Sequence, residues 1–391
     1  MASQSFMPCF GIDNTSEDAA MVQGGREPFV YMRDAVNVNV TPAGKIEMIA
    51  SGGKVTDSKF QNLWQSSLHK DVFAMLGTEW VKVNTGDWSY EVLADTGSSD
   101  VWYTVLNNQV VVAGKHGIYT YDGRTAQPLT IDAPPPPVVS GNKTDFGRSR
   151  SVAISWLRGD TESSLSDYVS AEGEAITVSL PLVTDPTVTA VNIYATNVGG
   201  TDMQLAGTVN HNTGSFNIAA DHNLGMAAQF AYLSPMPTGK YLCYWRGRLI
   251  TATANVIRFS EPLAYHLHDE RHGFIQTSQR VTFIQPVAGG LWVGQVDHVI
   301  FIQGSQPDDM SIIIKSSAAP IPNSAIQIGS AEIGEIAEGG DTAVVWLASN
   351  GYVAGNSGGQ IVEYQARRIN NVSAQSGTTV RLARRLLTAV N

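Results

Sequence analysis

The chain has 391 residues, of which 43% are hydrophobic and only 15% charged; that is ample for two or three packed cores but short of the Glu, Lys and Arg that solvent-facing helices need. A net charge of −10, from 35 acidic and 25 basic residues, argues against tight sequence-tolerant binding of nucleic acid, which requires a basic face. The two cysteines, Cys9 and Cys243, are too few for a disulfide framework and fit synthesis in a reducing cytoplasm.

In chain order, residues 1–28 read as an N-terminal extension without the basic and apolar regions of a secretory signal. No later run approaches the roughly 18 apolar residues of a membrane span. Short strands dominate from residue 29. "KDVFAMLGTEWVKVN" (70–84) is an apolar run, a Gly-Thr turn and an alternating stretch. "DVWYTVLNNQVVVAGKHGIYTYDG" (100–123) repeats the phrase, with turns predicted at Asn107-Asn108 and Lys115-His116-Gly117.

Between these two phrases lies "VLADTGSSDVWY" (92–103), which resembles the first catalytic loop of a pepsin-like aspartic protease. That chemistry needs two carboxylates sharing one proton. The nearest second motif, Asp341-Thr342-Ala343, replaces the needed glycine with alanine. Asp95 is therefore expected to sit in a polar turn, and no catalytic residue is assigned.

"APPPPVV" (133–139) is a stiff polyproline segment. Beyond it come "SVAISWLRGDTESSLSD", "EAITVSLPLV", "TVTAVNIYATNVGG", "DMQLAGTVN" and "GSFNIA", five alternating stretches that predict a small β-sandwich over 133–232. The Arg-Gly-Asp at 158–160 falls at a strand end of this module and reads as a chance tripeptide. Pro235 and Pro237 mark the return to the earlier phrase, which recurs in "GKYLCYWRGRLITATANVIRFSEP" (239–262), "GGLWVGQVDHVIFIQGS" (289–305) and "TAVVWLASNGYVAGNSGGQIVEY" (342–364).

"YHLHDERH" brings His266, His268 and His272 together with Asp269 and Glu270. A His-x-His pair on a strand puts both imidazoles on one face, so a metal site is conceivable, but a polar loop explains the cluster equally simply. No metal or cofactor is assigned. Neither a phosphate-binding loop nor a dinucleotide fingerprint occurs, no Gly-x-Ser-x-Gly elbow is followed by a helix, and "GNSGGQ" (355–360), with its Ser between glycines, reads as a glycine-rich hairpin. Arg381, Arg384 and Arg385 form the one basic cluster and read as a solvated face of a last strand or short helix.

Each repeated phrase is about three strands with an aromatic near the first: Trp102, Trp245, Trp292 and Trp346, with Trp64 opening a weaker unit. Strand meanders recurring every ~40–50 residues point to blades of a β-propeller, with the tryptophans in the packing between blades. The fold class expected is mainly β: a β-propeller over 29–132 and 233–391, interrupted at 133–232 by an immunoglobulin/fibronectin-like β-sandwich.

The stretches "FVYMRDAVNVNVTPAGKIEM" (29–48), "VIRFSEPLAYHLHD" (256–269) and "GGLWVGQVDHVIFIQG" (289–304) resemble the β-propeller tail proteins of short-tailed phages, the nozzle or tail-stabilisation family. Residues 150–218 resemble the fibronectin type III-like modules inserted into phage structural proteins. The chain departs from the tail family in lacking Arg-Pro-Gly after the opening strand, where it reads "EMIASGGK".

The resemblance implies a non-enzymatic virion protein made in the host cytoplasm and built into the tail, and a homohexameric ring with itself. It also implies contacts with the portal or adaptor protein and with tail fibres, and genomic DNA passing through without tight binding. Acidic residues of inter-strand turns, such as Asp308, Asp309 and Asp341, are candidates for a low-friction channel wall. An adhesin that binds a receptor or glycan is the alternative; it would need aromatics clustered on one set of loops, whereas here most lie inside strand phrases.

Overall fold

The computed structural model describes residues 7–49, 52–141, 148–230, 232–316, 318–334, 342–382 and 385–391. Among these residues the regular structure is strands and three short 3-10 turns, and no helix is long and apolar enough to cross a membrane. The protein is thus mainly β, as the abundance of β-branched and aromatic residues requires.

Five four-stranded sheets follow one another along the chain. The first runs Gln61–Gln65, Val72–Leu76, Glu79–Val83 and Tyr90–Asp95, and the second Trp102–Leu106, Gln109–Ala113, Ile118–Tyr121 and Ala126–Pro128. The third takes Lys240–Trp245, Arg248–Thr253, Val256–Phe259 and Phe274–Gln276; between its last two strands, Leu267–His268 leaves to pair with Ser234–Pro235. The fourth comprises Val281–Val287, Gly290–Gln295, Val299–Gln303 and Ser311–Ser316, and the fifth Ile326–Gly329, Thr342–Ala348, Gly351–Gly355 and Ile361–Glu363.

Turn chemistry sets the register locally. Leu106 pairs with Gln109, and the two loop residues, Asn107 and Asn108, have φ of 47° and 59°. Positive φ at both central positions is the mirror-image turn whose twist matches that of the flanking strands, and asparagine tolerates it better than most side chains.

Two compact units divide the chain. One consists of Phe60–Ala252 and Ile257–Ile275; the other of Met1–Lys59, Thr253–Val256 and Gln276–Asn391. In the first of these, Phe73, Met75 and Trp80 of the first sheet share a core with Val110, Val112 and Tyr121 of the second. Leu106, Val111 and Ile118 in turn share one with Leu242 and Leu249 of the third. In the other unit, Trp292 and Phe301 of the fourth sheet pack on Val344, Trp346 and Val353 of the fifth.

Aromatic rings link the first sheet to the second, the second to the third, and the fourth to the fifth. Trp64 stacks on Tyr103 at 5.0 Å and 9°, Trp102 meets Tyr241 edge-on at 5.4 Å, and Trp292 lies 5.5 Å from Trp346. Trp64, Trp102, Trp292 and Trp346 are therefore packing residues, their rings lying against an aromatic ring of a neighbouring sheet. Gly355 makes room for one of them, since a Cβ there would lie 2.4 Å from the Trp292 ring.

Residues 138–218 form two further sheets, Val138–Gly141 with Ile176–Ser179 and Ser215–Ile218, and Thr161–Glu162, Ser149–Arg158, Ala190–Ala195 and Gln204–Asn210, with Val169–Glu172 also pairing Ser149–Arg158. Alternation places Ile154, Trp156 and Ile193 of the second sheet against Ile176, Val178 and Ile218 of the first in one core, which also takes in Ile131. The five stretches read from the sequence are joined by two strands that pattern alone did not show, Val138–Gly141 and Val169–Glu172, both short edge strands.

The N-terminal residues of the described chain meet its C-terminal part. The Asn14 side-chain amide donates to the Asn370 carbonyl at 2.9 Å, Thr15 Oγ1 donates to the Arg367 carbonyl at 2.8 Å, and the Arg368 guanidinium stands 4.3 Å over the Tyr31 ring.

Candidate functional site

Asp95 ends the last strand of the first sheet, in a local turn. Its Oδ1 accepts the Gly97 N–H at 2.9 Å, and the Tyr119 hydroxyl donates to its main-chain carbonyl at 3.1 Å. Gly97 is required twice over: its φ is 72°, and a Cβ would lie 2.5 Å from the His116 ring. The Gly97 amide, helped by Thr78, holds the Asp95 carboxyl below its ordinary range. A carboxylate pair sharing a proton has one pKa strongly raised, the opposite direction.

The three clustered histidines point to different partners. His266 Nε2 donates to the Glu162 carbonyl at 2.8 Å, buried His268 uses Nδ1 to reach the Phe259 carbonyl at 2.9 Å, and His272 is exposed. A carbonyl only accepts, so these bonds fix which nitrogen carries the proton. Among the described residues no three His, Cys, Asp or Glu side chains are grouped to hold a metal ion.

What His266 does reach is Glu162, at a strand end of the two sheets formed by residues 138–218. Glu162 Oε1 accepts from Ser155 Oγ at 2.5 Å, Asn192 Nδ2 at 2.9 Å and Tyr194 Oη at 2.7 Å, which locks the strand end that carries the His266 acceptor. Burial, reinforced by Glu162, pushes the Tyr194 hydroxyl well up, so it stays a donor. Beside it, Arg158 turns inward and donates to the Pro128 carbonyl at 2.6 Å, the Thr130 carbonyl at 3.2 Å and Thr187 Oγ1 at 2.8 Å, with Asp185 at 3.5 Å. The Arg-Gly-Asp tripeptide thus spends its arginine on the fold. These groups border a polar cleft of about 410 Å³ lined by Gln127, Arg158, Asp160, Glu162, Tyr265 and His266 among others.

Burial draws the His266 pKa below its ordinary value; the Glu162 carbonyl opposes this and the Arg158 charge adds to it. The folded protein therefore disfavours the imidazolium that the unfolded chain forms near pH 6.5. His266 contributes its full stability above that pH and loses it as the pH falls towards the lowered folded value. Thermal unfolding midpoints of the wild-type protein are expected to drop between pH 7.5 and 5.5 by more than those of His266→Gln, which keeps a donor but no titrating ring. Equal drops would remove His266 from the account.

The acidic and basic residues singled out in the sequence take local roles. Asp309 caps its own 3-10 turn, its carboxylate accepting Ser305 N–H at 3.1 Å and Gln306 N–H at 2.7 Å, and these amides keep its pKa low. Asp341 and Arg384 lie outside the described residues. Arg381 pairs with Glu332 at 3.0 Å and Arg385 donates to Asn39 Oδ1 at 2.8 Å. In the glycine-rich hairpin at 355–360, Asn356 Oδ1 accepts the N–H of Gly358 and Gln360 at 3.1 and 2.9 Å, a loop closed on itself.

A feature that pattern reading passed over is the outermost strand of two of the sheets. Ser311–Ser316 ("SIIIKS") and Tyr90–Asp95 ("YEVLAD") each pair on one side only and present apolar side chains to solvent. A continuous Ile-Ile-Ile run ordinarily signals a buried strand. Its place as the fourth strand of a meander was the available sign that one edge would be open.

No protein-family model matches this sequence, and no curated protein does. Among solved structures the chain is similar to a functionally unknown protein from Desulfotomaculum acetoxidans, at 10% identity and a TM-score of 0.35 over 81% of this chain and 89% of that one. It is also similar to the WD40 domain of Neurospora crassa Pan2, at 8% identity and a TM-score of 0.34 over 82% and 85% of the two chains. A third similar structure is BBS1N in complex with ARL6DN, at 12% identity and a TM-score of 0.32 over 84% and 88%. Likenesses of this size carry no argument about what the chain does.

Proposed function

We propose that the chain is a β-propeller with an inserted immunoglobulin/fibronectin-like sandwich, and that it is a structural subunit of a bacteriophage tail. In this reading six copies close into a nozzle-like ring that lines the DNA-ejection channel, while the sandwich contacts fibres or neighbouring tail proteins. The observation that carries it is the succession of four-stranded sheets, with aromatic rings between the first and second, the second and third, and the fourth and fifth. That is how blades pack, and it gives a stiff body suited to a mechanical role. The phage likeness of residues 29–48, 256–269 and 289–304 supports the assignment to a tail. The inward Arg158 weakens the adhesin alternative at its one recognisable motif.

Native mass spectrometry and negative-stain imaging of the full chain test the ring, and peptide mapping of purified particles tests its place. A closed oligomer present in virions is the expected result; a monomer at micromolar concentration, absent from particles, would overturn the reading. The net charge of −10 leads to a second expectation. The ring should show no measurable affinity for duplex DNA even at low salt, where Coulombic attraction is strongest. Tight, salt-sensitive binding would replace the low-friction channel with an anchoring role.

A further inference from the structure

We infer that the polar cleft beside Arg158 and His266 is a binding site for a neutral saccharide. Its volume of about 410 Å³ lies at the small end of the ~300–1,000 Å³ range of ligand sites, a size that suits a mono- or disaccharide. The lining comes from places far apart in the chain: the turn at 107–109, the strand Ala126–Pro128, the stretch 158–162 and the loop 263–266, all within one compact unit. Its walls are already locked. Every nitrogen of the Arg158 guanidinium donates within the fold, Glu162 Oε1 accepts from Ser155, Asn192 and Tyr194, and the Glu162 carbonyl holds His266. Supports of this kind set the geometry of a site before a ligand arrives.

Along these walls the remaining polar groups are uncommitted. Asn107, Gln109, Gln127, Asp160 and Thr161 make no side-chain hydrogen bond or ion pair among the described residues. Amides both donate and accept, a carboxylate accepts and a hydroxyl does either, which complements a ligand crowded with hydroxyls. Phe230, Leu263 and Tyr265 add an apolar wall on which the C–H face of a sugar ring can lie. Leu263 has a φ of 62°, a left-handed conformation costly for a bulky side chain, and is nevertheless 76% exposed. Its N–H donates to the Gly247 carbonyl at 2.9 Å, which holds it there. Burial within the chain does not offset that strain; a ligand lying against Leu263 would.

Charge selects the class of ligand. Among the described lining residues Arg158 is the only Lys or Arg; its side chain is 12% exposed and is spent on Pro128, Thr130 and Thr187. Burial disfavours the charged form of His266, and Asp160 is exposed. A phosphate, a sulfate or an acidic sugar would meet the Asp160 carboxylate with no free cation to offset it, whereas a neutral hydroxyl donates to it. The Arg-Gly-Asp tripeptide thus contributes its arginine to the wall and its aspartate to the opening. The inference goes beyond the ring reading and does not rest on it. On a tail subunit the cleft would hold the particle to a neutral surface polysaccharide; on any other carrier it binds the same chemistry.

The test titrates the full chain with maltose, lactose, cellobiose and N,N′-diacetylchitobiose, and with glucuronate and inorganic phosphate as anionic counterparts, followed by calorimetry and saturation-transfer NMR. At least one neutral disaccharide is expected to bind with a Kd of about 1 mM or tighter, and the anions more weakly by about tenfold or more. Gln127→Ala and Asp160→Ala are each expected to weaken that binding by about fivefold or more, the worth of one hydrogen bond. Leu263→Gly removes the apolar lip and relieves the φ strain. It should weaken binding while the thermal midpoint stays level or rises, a split that a purely structural residue would not give. Circular dichroism checks that each variant is folded. Three results would each overturn the inference: no neutral disaccharide bound at about 10 mM, binding that ignores all three substitutions, or anions bound as well as neutral sugars. None of them depends on whether the chain forms a ring, which is read separately from oligomer mass.

Discussion

Replacing Trp346 with alanine is expected to lower stability by about 3–5 kcal/mol. The ring is fully buried, 5.5 Å from Trp292 and 5.7 Å from Phe283, so its loss opens a cavity between the fourth and fifth sheets that neither rigid neighbour can fill. Trp346 and Trp292 also differ in a way that sharpens the test. Trp346 Nε1 is buried and has no hydrogen-bond partner among the described residues, whereas Trp292 Nε1 donates to the Asn356 carbonyl at 2.9 Å.

Trp346→Phe therefore sacrifices volume alone and even relieves an unsatisfied donor. Trp292→Phe sacrifices volume and one donor to a buried carbonyl, which keeps the Gly359 N–H at 3.3 Å. Trp292→Phe should be the costlier of the two by about 1 kcal/mol. Urea denaturation followed by tryptophan fluorescence and circular dichroism measures both. The reverse order would mean that cavity shape, and not hydrogen bonding, separates the two sites.

Arg158→Ala is expected to cost about 2–4 kcal/mol, because it strips a donor from two carbonyls and a hydroxyl at once and leaves Asp185 without its cation. The arginine side chain is only 12% exposed, so solvent replaces few of the lost bonds. Lysine keeps the charge but cannot span three acceptors with a planar fork, and Arg158→Lys should recover less than half of the loss. The bonds run from the end of Ser149–Arg158 to Pro128 and Thr130, just ahead of the polyproline segment. The variant should thus be cut faster by protease within residues 131–137 before the rest of the chain unfolds. Cleavage and global unfolding at unchanged rates would show that Arg158 does not tie this segment down.

The strand content and the turns were legible in the sequence, because both follow from interactions within a few residues. Alternation sorts Val110, Val112 and Tyr121 to one face and Val111 and Ile118 to the other, and Asn107-Asn108 can adopt a backbone that few other pairs tolerate. Recurring tryptophans likewise announced repeated packing, since a large flat ring at a fixed place in each phrase has to be buried against something. The same locality explains why Asp95 could be read as a turn residue: its nearest acceptor bond is to an amide two residues on.

Which groups meet across the chain was decided by tertiary structure alone. His266 and His268 are two residues apart, yet one reaches Glu162 and the other Phe259, because the partner of a side chain depends on what is packed over its strand. Arg158 looks like part of a surface tripeptide until Pro128 and Thr130 are brought beside it. Ile312, Ile313 and Ile314 have the composition of a buried strand and lie on an open edge. Composition states how favourable burial would be; only the topology, by placing a strand last in its sheet, determines whether another strand of the same chain covers it.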